Sequence, residues 1–360
     1  RWHNWNVPVG GADQGVVYLI HDTRRWEEGQ HANWQDPETS LNELQDGYDV
    51  VEWIAAQPWC NGRVGTAGGS GHGYASAMMI WGNIPHYTVC GIDNTAGDVK
   101  HYWYYHNGVR RGVSYNWIGS RGVAMPALPT PTLPRVPYDY DGWLAFIRER
   151  GKDVQTWYFN STGWFDPLSE GALDSFAALQ HTGRAFVRVE PRCHGGIKGL
   201  PGGLRHFPIR KTLPQPVQPP STIDIIKGAE PTEDLRSTLT YFLMGDVLDP
   251  TAPGNHYMTT HEWPVPHEKV TFYLHPDGSL AEERPAGEGG SVSYNYDPRN
   301  PAPTLGGHHD WVHASGPFDQ RPLGDRDDVL CFTTEPLSDP FALTGKTRMQ
   351  LFFSSDARDT

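Results

Sequence analysis

The sequence predicts an α/β fold, a parallel sheet covered by helices, followed by an all-β domain. Three observations predict it. Strand-like and helix-like segments alternate through the first half of the 360-residue chain. A serine set among glycines, Gly68-Gly69-Ser70-Gly71-His72-Gly73, stands between one such strand and one such helix. Past a proline-dense stretch, short apolar runs separated by Gly, Pro and Asp take over, as in a sandwich or jelly roll.

Residues 15–22 (GVVYLIHD) read as a buried parallel strand ending in a polar residue, with residues 23–29 as the loop at its end. Leu41, Leu44, Tyr48, Val51, Ile54 and Ala55 recur at helical spacing, so residues 41–56 form an amphipathic crossover helix. A short strand over residues 63–67 leads into the glycine-serine turn, and residues 74–81 have helix-forming composition. A strand that turns sharply into a helix needs residues without a Cβ, because the backbone is strained and the two elements pack closely. The serine then stands at the sheet edge above a helix N-terminus, which favours developing negative charge. The spacing is G-x-S-x-x-G, looser than G-x-S-x-G. No Gly-Lys-Ser/Thr follows it, which argues against a nucleotide loop.

Residues 88–92 are a further strand before Asp93-Asn94. Residues 101–133 are rich in Trp, Tyr, Arg and Gly and then Pro, which reads as an inserted lid near the mouth of a pocket. After a helix at 141–150, a strand at 154–160 runs into Gly163-Trp164-Phe165-Asp166-Pro167. After a helix at 170–179, a strand at 185–189 runs into Arg192-Cys193-His194-Gly195. Loops at the C-terminal ends of parallel strands converge on one face, so Ser70, Asp166 and His194 meet there. Their order along the chain, Ser, Asp, His, is that of α/β-hydrolases. Trp164, Phe165 and His72, adjoining these residues, are the candidate substrate contacts.

Prolines at 201, 208, 214, 216, 219 and 220 mark a linker, and strands are predicted at 239–244, 270–274, 291–294, 329–333 and 349–353. The predicted division is a hydrolase domain at 1–205 with a cap at about 95–150, a linker at 206–235 and a β domain at 236–360. A net charge of −13 excludes nucleic acid and anionic membrane as natural partners, and no run of 18 apolar residues occurs. The four cysteines, Cys60, Cys90, Cys193 and Cys331, lack metal-ligand spacing, read as free thiols and leave the compartment open. His308, His309, Asp310 and His313 have a spacing that permits chelation, but they follow Gly306-Gly307 and read as a solvated loop. No cofactor or metal is expected, and a homo-oligomer is left open.

Asp22-Thr23-Arg24-Arg25, Asp46-Gly47-Tyr48-Asp49-Val50-Val51-Glu52-Trp53-Ile54 and Gln57-Pro58-Trp59-Cys60-Asn61-Gly62-Arg63-Val64-Gly65 are motifs of one known group. So are Gly163-Trp164-Phe165-Asp166, Cys193-His194-Gly195, Tyr241-Phe242-Leu243-Met244-Gly245 and Phe318-Asp319-Gln320-Arg321-Pro322. On these the chain resembles the cocaine-esterase and X-Pro dipeptidyl-peptidase-like hydrolases, which include α-amino-acid ester hydrolases. The resemblance implies an α/β-hydrolase core with a short inserted cap and a C-terminal jelly roll. Against that pattern the chain reads as incomplete at both ends, either an excerpt of a longer one or an unusually trimmed relative.

Departures from the family pattern sharpen the expectation. Family members carry a tyrosine directly after the nucleophile, where this chain has Gly71 and then His72. A family tyrosine on an early loop completes the oxyanion hole, yet no tyrosine precedes Tyr18, which lies inside a predicted strand. The amino-ester hydrolases place acidic residues two and three positions after the triad aspartate to hold an ammonium; here those are Leu168 and Ser169. That favours a neutral acyl group. Glu170 follows, at a helix start where a carboxylate ordinarily offsets the dipole.

The expected chemistry is cleavage of a small ester or amide through a serine acyl-enzyme. Ser70 attacks, His194 shuttles the proton, Asp166 fixes the imidazole, and the Gly71 N–H supplies one oxyanion donor. The alternatives are an X-Pro dipeptidyl peptidase or amino-ester hydrolase, which needs an acidic clamp, and a catalytically weak binding protein on the same scaffold.

Overall fold

The structure, a computed structural model, describes residues 13–21, 40–98, 100–106, 109–111, 139–194, 196–197, 200, 204, 206–209, 218–249, 251–287, 289–308 and 315–357. Its centre is a six-stranded sheet whose strands follow one another in chain order. They are β1 (Val64–Gly69), β2 (Tyr87–Asp93), β3 (Trp157–Phe165), β4 (Ala185–Cys193), β5 (Thr238–Leu243) and β6 (His256–Thr260). β1 to β5 run parallel and β6 closes the edge antiparallel. Parallel neighbours require crossovers, and helices supply them. These are α2 (Gly71–Met79), α3 (Tyr140–Gly151), α4 (Ser169–Leu179) and α5 (Thr222–Ile226), while α1 (Ser40–Ala55) precedes β1.

Side chains alternate across the sheet and so build two cores. On one face Cys90, Ile92, Tyr158, Val187, Val189 and Leu239 meet Val51 of α1, Met78 of α2, Ile147 of α3 and Phe176 of α4. On the other, Val89, Trp157, Phe159 and Phe186 meet Ile225 and Ile226 of α5. Fully burying each such side chain contributes about 1.5–3 kcal/mol. Between β1, β2 and α2, the Tyr87 hydroxyl donates to Ser76 O at 3.1 Å and lies 2.6 Å from Thr66 Oγ1, and the Cys90 thiol donates to Ser76 O. Burial pushes the Tyr87 phenol well above its ordinary value and the Cys90 thiol up to about 12. The four cysteines, expected as free buried thiols, are all free, but only Cys90 and Cys193 are buried; Cys60 is partly buried and Cys331 exposed.

Several predicted boundaries change. Residues 16–21 form no strand and are mostly exposed, Ile20 by 78%. Among the described residues their apolar run has no paired neighbour, and an unpaired strand cannot satisfy its own backbone. The helix expected at the end of the cap is α3, which packs Ile147 into the core and serves as a crossover. Of the lid predicted at 101–133, residues 107–108 and 112–133 lie outside the described residues, as do residues 22–39 with the family motif at Asp22-Thr23-Arg24-Arg25. The 206–235 stretch is more than a linker. α5 carries a capping box at Ser221, Asn61 Nδ2 donates to Ile226 O at 2.8 Å, and Arg63 pairs with Glu230.

The strand expected to open the second domain belongs to the first. β5 pairs with β4 through Val187↔Leu239 and Arg188↔Thr240, placing Leu239 in the main core. Beyond Thr260, apart from a turn of helix at Arg321–Gly324, the regular pairing is β and sparse. Tyr273–Leu274 pairs with Leu280–Ala281, and Thr333 bridges Ser279. Residues 291–294 and 349–353 form no strand, and Met349, Phe352 and Phe353 are more than three-quarters exposed. Their apolar pattern is right for strands, but among the described residues no paired strand turns it into a sheet face.

Candidate active site

β1 ends at Gly69 and α2 begins at Gly71, so Ser70 alone makes the turn. Its backbone, at φ 54° and ψ −132°, lies in a region that L-residues rarely occupy. Such strain costs about 1–3 kcal/mol and persists only where the surroundings over-determine it. The surroundings here are two close approaches. A Cβ on Gly68 would lie 2.6 Å from His72 O, and one on Gly73 2.8 Å from Gly68 O. Ser70 N–H donates to Asp93 O at 2.9 Å, and Ser70 O accepts from Gly73 N–H at 3.0 Å. Ser70 precedes the helix but makes no side-chain cap, which leaves its hydroxyl to other partners.

That hydroxyl meets His194. Nε2 of His194 lies 2.8 Å from Ser70 Oγ, and Nδ1 lies 2.9 Å from Asp166 Oδ2. Because the carboxylate accepts from Nδ1–H, Nε2 is the ring acceptor facing the serine O–H. Asp166 is fully buried, and its second oxygen accepts the Leu168 N–H at 2.8 Å. Both carboxylate oxygens are therefore engaged. Asp166 N–H donates to Gly163 O and Ser169 N–H to Asp166 O, so the turn from β3 into α4 holds the aspartate. The geometry is that of a nucleophile, a base and an orienting carboxylate.

His194 reaches the serine because β4 is irregular at its end. The register passes from Gly163↔Glu190 to Phe165↔Cys193, so β4 carries one residue more than β3 over this step. An extra residue bends a strand and re-aims the side chains beyond it. Arg192 lies in that step. Its Nε donates to Glu190 Oε2 at 2.7 Å, its Nη1 to Asn94 Oδ1 at 2.7 Å, and its Nη2 to Asp93 Oδ1 and Ser161 Oγ, each at 2.9 Å. Burial works against the charge, but the bonds to Glu190 and Asp93 outweigh it and hold the guanidinium above its ordinary value.

Gly71 is the first residue of α2, where backbone N–H groups have no intrahelical acceptor. His72 is exposed on the next position. Trp164 and Phe165 are both partly buried and have packing partners. The Trp164 indole N–H donates to Phe242 O at 2.7 Å, and its ring packs against Tyr241 and Trp263. Phe165 packs against Leu200, Phe207 and Phe242 and meets the His308 ring edge-on. His308 itself has Nε2 2.5 Å from Trp164 O; His309, Asp310 and His313 lie outside the described residues.

Glu170 and Asp174 form a second polar group on α4. Lys346 Nζ lies 2.9 Å from Glu170 Oε1 and 3.5 Å from Asp174 Oδ1, and the Tyr102 hydroxyl donates to Asp174 Oδ2 at 2.9 Å. Burial pushes the Asp174 carboxyl up, against the opposing pull of Lys346, Tyr140 and Tyr102. Sequence reasoning missed Arg192 and the Leu168 N–H. The Asp93, Asn94 and Ser161 partners of Arg192 are set by the fold, whereas the Leu168 N–H binds Asp166 two residues back, a local turn that an aspartate before a proline signals.

Residues 14–131 match the X-Pro dipeptidyl-peptidase (S15 family), and residues 241–360 match the X-Pro dipeptidyl-peptidase C-terminal non-catalytic domain, which is β-rich. A cocaine esterase of Rhodococcus sp. (strain MB1 Bresler) is 26% identical over 411 aligned positions, which cover 96% of this chain and 68% of its own. Predicted serine esterases of Mycobacterium bovis and Mycobacterium tuberculosis are each 23% identical over 394 positions, covering 89% of this chain and 61% of theirs. A CocE/NonD family hydrolase from Staphylococcus aureus, of known structure, aligns with a TM-score of 0.43 and 16% identity over 67% of this chain and 42% of its own. The chain thus spans less than two thirds of the length of the Mycobacterium relatives.

Proposed function

Because the chain belongs to the cocaine-esterase and X-Pro dipeptidyl-peptidase-like hydrolases, we propose that it cleaves a small carboxylic ester or amide through a serine acyl-enzyme. The observation that carries this reading is His194, held between Ser70 at 2.8 Å and Asp166 at 2.9 Å. Ser70 Oγ attacks the acyl carbon while His194 Nε2 takes its proton. The same nitrogen then returns the proton to the departing alcohol or amine. Water repeats the sequence to release the acid. Asp166, with its other oxygen held by Leu168 N–H, keeps the proton on Nδ1 and stabilises the imidazolium.

The tetrahedral oxyanion is assigned to the Gly71 N–H at the start of α2, where the helix dipole adds to the donor. A single oxyanion donor is typically worth about 10²–10³ in kcat, so this position governs rate more than binding. The acyl group is assigned as neutral. The residues following Asp166 and Pro167 are Leu168 and Ser169, and Glu170 is already paired with Lys346. The match to an S15 peptidase family favours a second reading, an amide-cleaving peptidase, which would require another clamp for the substrate ammonium.

A fluorophosphonate probe tests the nucleophile. Wild-type protein labels covalently and Ser70→Ala does not; labelling that persists in the variant would sink the assignment. Turnover of p-nitrophenyl acetate and butyrate, lost in His194→Ala, is expected to exceed turnover of an X-Pro p-nitroanilide. The reverse ranking selects the peptidase. Absence of both, with no label, selects a binding protein on the hydrolase scaffold.

A further inference from the structure

We propose that Arg192 is a positioning residue for this hydrolysis, tying the ends of β2, β3 and β4 into one ring beneath Ser70 and His194. The proposal rests on the acyl-enzyme reading above. One guanidinium reaches four acceptors on three strands: Asp93 and Asn94 at the end of β2, Ser161 on β3, and Glu190 on its own strand.

Each attachment leads to the reacting pair. Asp93 O accepts the Ser70 N–H at 2.9 Å, so the residue that Arg192 holds by its side chain holds the serine by its main chain. Asn94, at φ 48°, donates its own N–H to Ser161 O at 2.7 Å, which joins the first two strand ends a second time. On the other side, Arg192 stands two residues before His194, within the irregular step that aims the imidazole. That step lies hard against β3. A Cβ on Gly163 would lie 1.9 Å from Arg192 O, so only glycine admits the arginine backbone there. Both partners of the Ser70–His194 hydrogen bond are therefore carried by groups that one side chain ties together.

A planar guanidinium suits this task because its donors leave in fixed directions, whereas a lysine ammonium is a single point on a flexible stem. Removing it also leaves Asp93 and Glu190 facing one another without the cation between them. The competing account is an ordinary half-exposed ion pair, which typically contributes about 0–1 kcal/mol to stability and nothing to rate. The two accounts differ in what they move. Misplacing a reacting atom by about 1 Å can cost about 10²-fold in rate without weakening substrate binding.

Arg192→Met and Arg192→Lys, compared with wild type on p-nitrophenyl butyrate and in the rate of fluorophosphonate labelling, decide between them. Positioning requires kcat to fall at least tenfold in Arg192→Met, with KM within threefold, and the labelling rate to fall with it. Arg192→Lys should recover part of the loss. Rates are expressed per folded molecule, with the thermal midpoint measured alongside. A wild-type kcat in folded Arg192→Met, or a loss that tracks only the unfolded fraction, overturns the proposal. If Arg192→Met does not fold, Arg192→Lys carries the test, and an unchanged kcat in it overturns the proposal equally. A wild type that never labels at Ser70 removes the hydrolase reading, and Arg192 falls with it. A wild type that labels, beside an Arg192→Met that labels equally fast, removes the Arg192 proposal alone.

Discussion

Phe176 on α4 is fully buried, whereas Phe352, near the end of the chain, is 90% exposed. Charges show a related contrast, with Lys346, which reaches Glu170 on α4, as the exception. In the sheet region Arg192 binds Asp93 and Asn94 across 99 and 98 residues of chain. Beyond Thr260, Asp297, Asp319 and Asp328 each pair with an arginine two positions away. Asp319 shows how local this is: the Arg321 side chain and backbone N–H hold its carboxyl down at about 2, yet the pair stands in solvent. A pair within one turn ties the chain only to itself. A pair across strands removes freedom from two distant segments at once, and the chemistry depends on the second kind. Apolar residues behave alike, since a side chain gains from burial only when another layer covers it.

The largest break in this comparison comes from Asp166→Asn, whose side chain lies wholly inside the sheet region. An amide no longer selects the Nδ1–H tautomer, so kcat for p-nitrophenyl butyrate should fall about 10⁴-fold with little change in thermal midpoint. Next comes the paired substitution Phe176→Ala and Phe352→Ala, read by chemical denaturation. The first should destabilise by about 3–5 kcal/mol through the cavity it leaves. The second should stay within about 0.5 kcal/mol, and a large effect would mean that the end of the chain is covered in solution.

A smaller effect is expected at Asp174. Its carboxyl titrates higher in the folded protein than the ordinary 3.8, chiefly because burial penalises the anion. The folded state therefore holds a proton that the unfolded chain has lost. Stability from this group is present below the unfolded value and falls as pH rises through the folded one. Asp174→Asn should flatten that part of the stability–pH curve, and an unaltered slope would contradict the assignment.

The sequence showed the elbow and the triad because each is written locally. Ser70 sits among glycines between a strand and a helix, and Asp166 and His194 each end a strand. Convergence then followed from parallel topology alone. What stayed hidden depends on neighbours. Residues 16–21 have as good a strand pattern as Thr238–Leu243, but only the latter meets a strand edge, that of β4. The bond from the Trp164 indole N–H to the main chain of β5 spans 78 residues and left no local mark either. Arg192 carried no local mark, since its partners lie on β2 and β3 as well as on its own strand.

The hydroxyl and thiol groups buried between the sheet and α2 have a consequence for measuring activity. Tyr87, Cys90 and Tyr158 are all pushed upward by burial, Cys90 to about 12, so none ionises in the range where esterases are assayed. An inflection in a rate–pH profile between about pH 5 and 8 should therefore come from groups other than these three.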